Sequence, residues 1–200
     1  MGNAKVWYLC TSTNKKYRSN SQFKIGEEVN ATCVVEKVRK SLGWMFWGSF
    51  AGIEEGPCLF WEKEWGSITS ESYSQRIVPL IDGMVSMRPW VSVMQDNAPS
   101  HSAAGTIEEF RERFITPIDW PPYSPDLNPI EHVWDSMKDY IQYHYPRLER
   151  GRQRSYDELR GIVKEAWNDA TKPDKLEKLI RSMPTRFEAV ILAQGGPVKY

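Results

Sequence analysis

Asp96 and Glu131 are the residues on which any chemical reading of this chain turns, and each sits where a carboxylate can be put to use. Val91 to Gln95 is a short β-rich run, so it reads as a buried strand that delivers Asp96 at its C-terminal edge. In open α/β sheets that edge is where ligands and chemistry collect. Glu131 belongs to the start of a helix. Asn128 can cap it, Pro129 suits the first helical position with its fixed φ and missing N–H, and Glu131 falls in the first turn. Ile130, Val133, Trp134, Met137 and Ile141 then recur at helical spacing and form one apolar face. Glu131 borders that face, so its carboxylate can look into the body of the domain.

Each acid also has a purely structural reading. Asn128-x-x-Glu131 is close to a capping box, in which Glu131 bonds the backbone N–H of residue 128 and does nothing else. Asp96-Asn97 followed by Ala98-Pro99 is a plausible turn after a strand. His101 alone reads as a helix-start or surface histidine.

The combination is more specific than its parts. Gln95-Asp96-Asn97-Ala98-Pro99-Ser100-His101 is followed by Trp120-Pro121-Pro122-Tyr123-Ser124-Pro125-Asp126-Leu127-Asn128-Pro129-Ile130-Glu131, with 34 residues between the acids. Both strings, in this order and at this spacing, closely resemble the catalytic core of Tc/mariner-type transposases, which are DDE endonucleases. The resemblance extends upstream to Met45-Phe46-Trp47-Gly48-Ser49-Phe50 and downstream to Ser182-Met183-Pro184-Thr185-Arg186 with Gly195-Gly196, covering roughly residues 44 to 200. It implies an α/β, ribonuclease H-like mixed sheet flanked by helices. It also implies an enzyme that cuts and rejoins DNA by in-line attack at phosphorus. In such sites three carboxylates hold two Mg²⁺ or Mn²⁺ ions about 3.5–4 Å apart. By resemblance Asp96 and Glu131 are the second and third of those acids, catalytic residues and metal ligands at once. Asn97 and His101 match positions beside the site, where they would orient a ligand. Transposon-end DNA, a second copy or a full-length transposase are the implied partners, and the nucleus the implied location.

One part of the implied site is missing. The family's first acid lies on the first, central strand, yet residues 1 to 81 contain no aspartate, and Asp82 falls at the end of a helix. The family's N-terminal helix-turn-helix region is not found either, which suits an N-terminally truncated chain. Residues 1–43 carry no motif and form a poorly defined N-terminal segment, with 44–200 as the partial catalytic domain. The sheet is therefore expected to lack its central strand unless Val6 to Cys10 fills the gap, because unpaired strand edges are a liability. Three functions stay open. They are an incomplete transposase catalytic domain, a non-catalytic module that binds DNA or transposase, and a nuclease whose missing ligand is Glu27, Glu28 or Glu36.

Composition narrows these only a little. Twenty-six basic and 26 acidic residues leave no net charge, so the whole-chain field does not steer the protein toward nucleic acid. Positive charge is local, at Lys15, Lys16 and Arg18, at Lys37, Arg39 and Lys40, and at Arg147, Arg150, Arg152 and Arg154. The last group follows the Glu131 helix and is the candidate DNA-phosphate contact. Cys10, Cys33 and Cys58 are odd in number and lack C-x-x-C spacing, which suits a reducing, intracellular compartment. No apolar run approaches the length of a membrane span.

The remaining pattern supplies the scaffold. WMFWGSF and PCLFW predict a hairpin with a six-residue loop, in which Gly48 marks a bulge or a close approach. Thr69 or Ser70 caps a helix with Tyr73, Ile77, Leu80 and Ile81 inward, ending near Gly83. Ser102 to Phe114 predicts a helix with Ile107, Phe110 and Phe114 on one side, then Ile115 to Ile118 a very short or edge strand containing Pro117. Ser155-x-x-Glu158 opens a helix with Leu159, Ile162, Val163, Ala166 and Trp167 on its face. Leu176, Leu179 and Ile180 begin another that Pro184 breaks, leaving a short last helix at Phe187, Val190 and Ile191.

Overall fold

Alternation along the central strands sorts the core onto two faces of one sheet. In the computed structural model, which describes residues 5–12, 45–122, 124–145 and 155–196, the strands are β1 (Lys5–Ser12), β2 (Met45–Ala51), β3 (Glu54–Trp61) and β4 (Ser92–Met94). Their order is β3-β2-β1-β4, with β1 antiparallel to β2 and parallel to β4. Phe46, Phe50 and Met94 point to one face, and Trp47, Ala51 and Val93 to the other, as the two-residue period of a strand requires.

The first face is covered by α5 (Pro129–His144), α6 (Tyr156–Ala170) and α7 (Pro173–Leu192). There Phe46 stands edge-on to Trp134 and Trp167, with ring centroids 6.0 and 5.4 Å away. The second face is covered by α1 (Ser70–Arg76), α2 (Val78–Met87) and α4 (Ala104–Glu112), through Tyr73, Ile77, Ile81, Met84 and Phe110. A short α3 (Pro99–Ser102) follows the end of β4. Among the described residues no helix is long and apolar enough to cross a membrane.

Lys5–Ser12 takes the central place, so the gap expected in the middle of the sheet is filled by the segment that could fill it. This strand lies upstream of residue 44 and is hydrogen-bonded into the same sheet. It spares β2 and β4 the unpaired edges that a missing strand leaves.

The hairpin is tighter than its sequence suggests. Its connection is two residues, Gly52-Ile53, because Gly52 adopts φ +61° and closes the turn without a longer loop. Gly48 marks both a bulge and a close approach. The β2–β3 register shifts between Gly48 and Phe50, opposite Pro57, which has no N–H for the ladder, and Ser49 Oγ donates to the Pro57 carbonyl at 2.7 Å. A Cβ at Gly48 would meet the Trp167 ring at 2.5 Å.

Four further expectations are corrected. The helix after Thr69 is two helices, α1 and α2, divided at Ile77 because Pro79 lacks an N–H, and the second runs past Gly83 to Met87. Of the helix expected over Ser102–Phe114 only Ala104–Glu112 is α4, Ser102 being the last residue of α3. Of the expected stripe only Phe110 is buried, while Ile107 is 54% and Phe114 96% exposed, the latter past the helix end at φ +56°. Ile115 to Ile118 forms no strand and gives the sheet one bond, from Ile118 N–H to Val93 O at 2.7 Å, since Pro117 has no N–H to donate. Pro184 does not break α7. The helix carries it internally, held on both sides by the buried Leu176, Met183 and Arg186.

Gly48→Ala is expected to destabilise the fold by about 1–3 kcal/mol, because the new methyl overpacks against an indole that cannot retreat. Urea unfolding measures this, and Trp167→Phe in the same chain should recover part of the loss. An unchanged midpoint for Gly48→Ala would show that the ring yields freely.

Candidate metal centre

β4 ends at Met94, and the chain leaves the sheet through Gln95 into Asp96. Three contacts fix that exit. Asp96 Oδ1 lies 2.7 Å from His101 Nδ1 and accepts from Ala98 N–H at 3.1 Å. His101 is 2% exposed and packs at a tilt against Tyr73, with centroids 4.7 Å apart, while the Tyr73 hydroxyl donates to Gln95 Oε1 at 3.0 Å. His101 Nε2 is buried without a hydrogen-bond partner. The tautomer with its proton on Nδ1 fits this arrangement, since it donates to the carboxylate and buries a lone pair rather than an orphan N–H. Among the described residues Oδ2 of Asp96 takes no hydrogen bond, and the side chain is 39% exposed.

Asn97 reaches away from Asp96. Its Nδ2 donates to the Trp120 carbonyl at 2.7 Å, tying the end of β4 to the proline-rich segment that leads to Glu131. That segment ends in a 3₁₀ turn, Pro125–Leu127, and passes directly into α5. Asn128 Oδ1 accepts from Ile130 N–H at 3.4 Å, and Pro129 sits at the start of the helix, as the sequence predicts. The capping box is not the arrangement found, because the backbone N–H of Asn128 donates to the Pro125 carbonyl at 3.1 Å. Ile130, Val133, Trp134 and Met137 are buried, and Glu131 is half-buried at the border of their face.

Both acids line one open cleft of about 420 Å³, together with Asn97, Trp120, Pro121, Pro122, Ser124, Pro125 and Asn128. The fold thus brings together Asp96, Glu131 and Asn97 at the cleft, with His101 behind Asp96. Asp82 is held elsewhere, in an ion pair with Arg113 at 3.1 Å. Continuing the β1–β4 register two residues past Trp7↔Met94 sets Leu9, not an acid, level with Asp96. Among the described residues no group of three or more His, Cys, Asp or Glu is placed to hold a metal. Arg147, Arg150, Arg152 and Arg154 lie outside the described residues, as do the other two basic clusters and Glu27, Glu28 and Glu36.

Two residues that sequence reasoning left without a role stand beside Glu131. Arg186 is 5% exposed, and it donates through Nη1 to the Asp126 carbonyl at 3.3 Å and to His132 Nε2. The available signal was the arginine inside the Ser182–Arg186 string, on the inward face of a helix.

Comparisons with known proteins give the chain its family and its fold relatives. The model of the DDE superfamily endonuclease family matches residues 13–150. The chain belongs to that family. It is a Tc/mariner-type transposase catalytic domain. Over 171 residues it is 31% identical to the Tcb2 transposase of Caenorhabditis briggsae, covering 78% of this chain and 54% of that protein. Over 153 residues it is 35% identical to the Tc1 transposase of Caenorhabditis elegans, covering 68% and 53%. The chain therefore spans about half the length of the curated relatives it matches. The catalytic domain of the Mos1 mariner transposase superposes with a TM-score of 0.64 at 21% identity, over 78% of this chain and 76% of that one. The Mos1 strand transfer complex gives 0.70 at 20% identity, over 98% and 56%. These likenesses establish the fold, a ribonuclease H-like mixed sheet flanked by helices.

His132, next to Glu131 in the chain, gives the cleft a pH-dependent neighbour. Burial and then the Arg186 guanidinium push its ionisation below the ordinary value of 6.5, with Asp135 pulling the other way. As pH falls through that value the unfolded chain protonates first, so the contribution is intact above it and is lost below it. The melting temperature should fall more steeply below about pH 6.5 in the native chain than in His132→Gln. Parallel curves for the two would contradict this.

Proposed function

We propose that this chain is the catalytic domain of a cut-and-paste DNA transposase in which Asp96 and Glu131 hold a single divalent ion, and that these 200 residues do not themselves cleave DNA. The observation that carries the reading is the convergence of the two acids on one cleft across the 34 residues that separate them. The donor set suits Mg²⁺ or Mn²⁺, being hard carboxylate oxygen. Mg²⁺ is commonly bound by one or two carboxylates with waters completing its shell. Mos1 relatives have been crystallised with Mg and with Mn. A bound ion would polarise a phosphoryl oxygen and lower the pKa of a coordinated water.

The chain's own residues prepare the site. His101 and Ala98 N–H occupy Oδ1 of Asp96, which leaves Oδ2 as the remaining ligand atom on a residue that lines the cleft. Asn97 fixes the cleft wall by its bond to Trp120. The shortage of acids supports the second half of the proposal, since residues 1 to 81 contain no aspartate and a two-ion site needs carboxylates shared between the metals.

DNA is the proposed partner. A Mos1 paired-end complex with the left transposon end is among the structures that share this fold. Contact through Arg147, Arg150, Arg152 and Arg154 and action in the nucleus follow as parts of the same proposal, as does pairing with a second copy or a full-length transposase. If the chain binds without cutting, it acts as a DNA- or transposase-binding module.

Calorimetry with Mn²⁺, followed by incubation with Mg²⁺ or Mn²⁺ and transposon-end duplex, tests the proposal. One ion per chain is expected, with affinity at least tenfold weaker in Asp96→Ala and in Glu131→Ala, and no nicking. Equal affinity in these variants overturns the site. Metal-dependent nicking that Asp96→Ala abolishes overturns the claim of incompleteness. A gel shift that persists in EDTA and weakens with salt would favour the binding module.

A further inference from the structure

Two consecutive residues of α7 contact the segment that carries Glu131, one at cleft-lining Trp120 and one at Asp126 and His132, which flank Glu131 in the chain. Phe187 stands edge-on to Trp120, with ring centroids 6.5 Å apart, and the Trp120 carbonyl is the group that Asn97 holds beside Asp96. Arg186 makes the other contact. Its guanidinium meets the Asp126 carbonyl at 3.3 Å, five residues before Glu131, and the His132 ring one residue after it. Ser182 sets the guanidinium in place, accepting from Arg186 Nε at 3.0 Å while its own hydroxyl donates to the Leu179 carbonyl at 2.7 Å.

We propose that α7 is a clasp that fixes Glu131 relative to Asp96, with Arg186 as its positioning residue. The inference rests on the two-acid metal reading for its functional consequence, and on the contacts above for its mechanical part. A planar guanidinium suits this task because its several N–H donors leave in fixed directions, so one side chain bonds the Asp126 carbonyl and the His132 ring through Nη1 while Nε is held by Ser182. A lysine ammonium carries the same charge on a flexible stem and cannot reproduce that fork. The clasp acts on a segment with little freedom of its own, since Pro125 and Pro129 restrict the backbone between the gripped points. Neither Arg186 nor Phe187 lines the cleft.

Hydrogen exchange and Mn²⁺ titration on the full chain separate the two parts. In Arg186→Met, amides of residues 126–134 should exchange at least tenfold faster, with those of β2 and α2 unchanged, and Mn²⁺ affinity should fall on the order of 10–100-fold. Arg186→Lys should restore neither fully, and Ser182→Ala should give a smaller change in the same direction. Should Arg186→Met fail to fold, the lysine and alanine variants carry the test. Unchanged exchange at 126–134, or a uniform rise across the chain, overturns the clasp. If the native chain binds no Mn²⁺, the metal reading fails, while the exchange measurement still decides whether Arg186 holds this segment.

Discussion

The hydrogen bond from Asn97 Nδ2 to the Trp120 carbonyl is the constraint on which the rest of the site depends. It joins the end of a strand to the start of the segment that carries the second acid, and so converts a long sequence separation into one wall of a cleft. The segment beyond it contains Pro121, Pro122, Pro125 and Pro129, whose fixed φ leaves little conformational entropy to lose on folding. A bond made at residue 120 is therefore felt at residue 131. In a glycine-rich connection the same bond would fix only its immediate neighbours.

The electrostatics of the cleft follow from which atoms the scaffold already uses. Asp96 has one oxygen committed to His101 and Ala98, and its side chain is 39% exposed, so the acid is held at one oxygen and open to solvent. His101 is in turn held by Tyr73, which reaches across from α1 on the second face of the sheet. The orientation of the acid is thus set by core packing. A ligand atom fixed this way is ready before any ion arrives, which lowers the ordering that binding must impose.

What the sequence made legible was whatever depends on local pattern. The strand before Asp96, the Asn128-Pro129 start of α5, its apolar face and the glycine under Trp167 each express a short-range rule, and each appears in the fold. What it concealed depends on contacts distant in the chain. Pro184 reads as a helix breaker, yet Met183 and Arg186 are buried on the same helix and their packing outweighs one lost backbone bond. Phe114 reads as core by its spacing from Phe110, but the chain leaves the helix at Arg113 and the ring swings out to solvent. Lys5–Ser12 could be recognised as a strand. That it would lie between β2 and β4 follows only from pairings 33 to 87 residues away. Arg186 was visible within a recognisable string, while its role rests on reaching His132 and Asp126 from α7.

The contacts that position the acids are also the contacts that hold the domain together. Trp120 and Leu127 are buried in the same cluster as Phe46 and Trp167, and Ile130 and Val133 anchor the helix that carries Glu131. Loosening any of them costs core stability of a few kcal/mol whether or not an ion binds. The geometry of the pair is in this sense a by-product of folding. A third acid is different, for a carboxylate on the central strand would contribute nothing to that cluster and would carry its own desolvation cost. The residues that set the core and the residues that would hold an ion are thus under separate constraints.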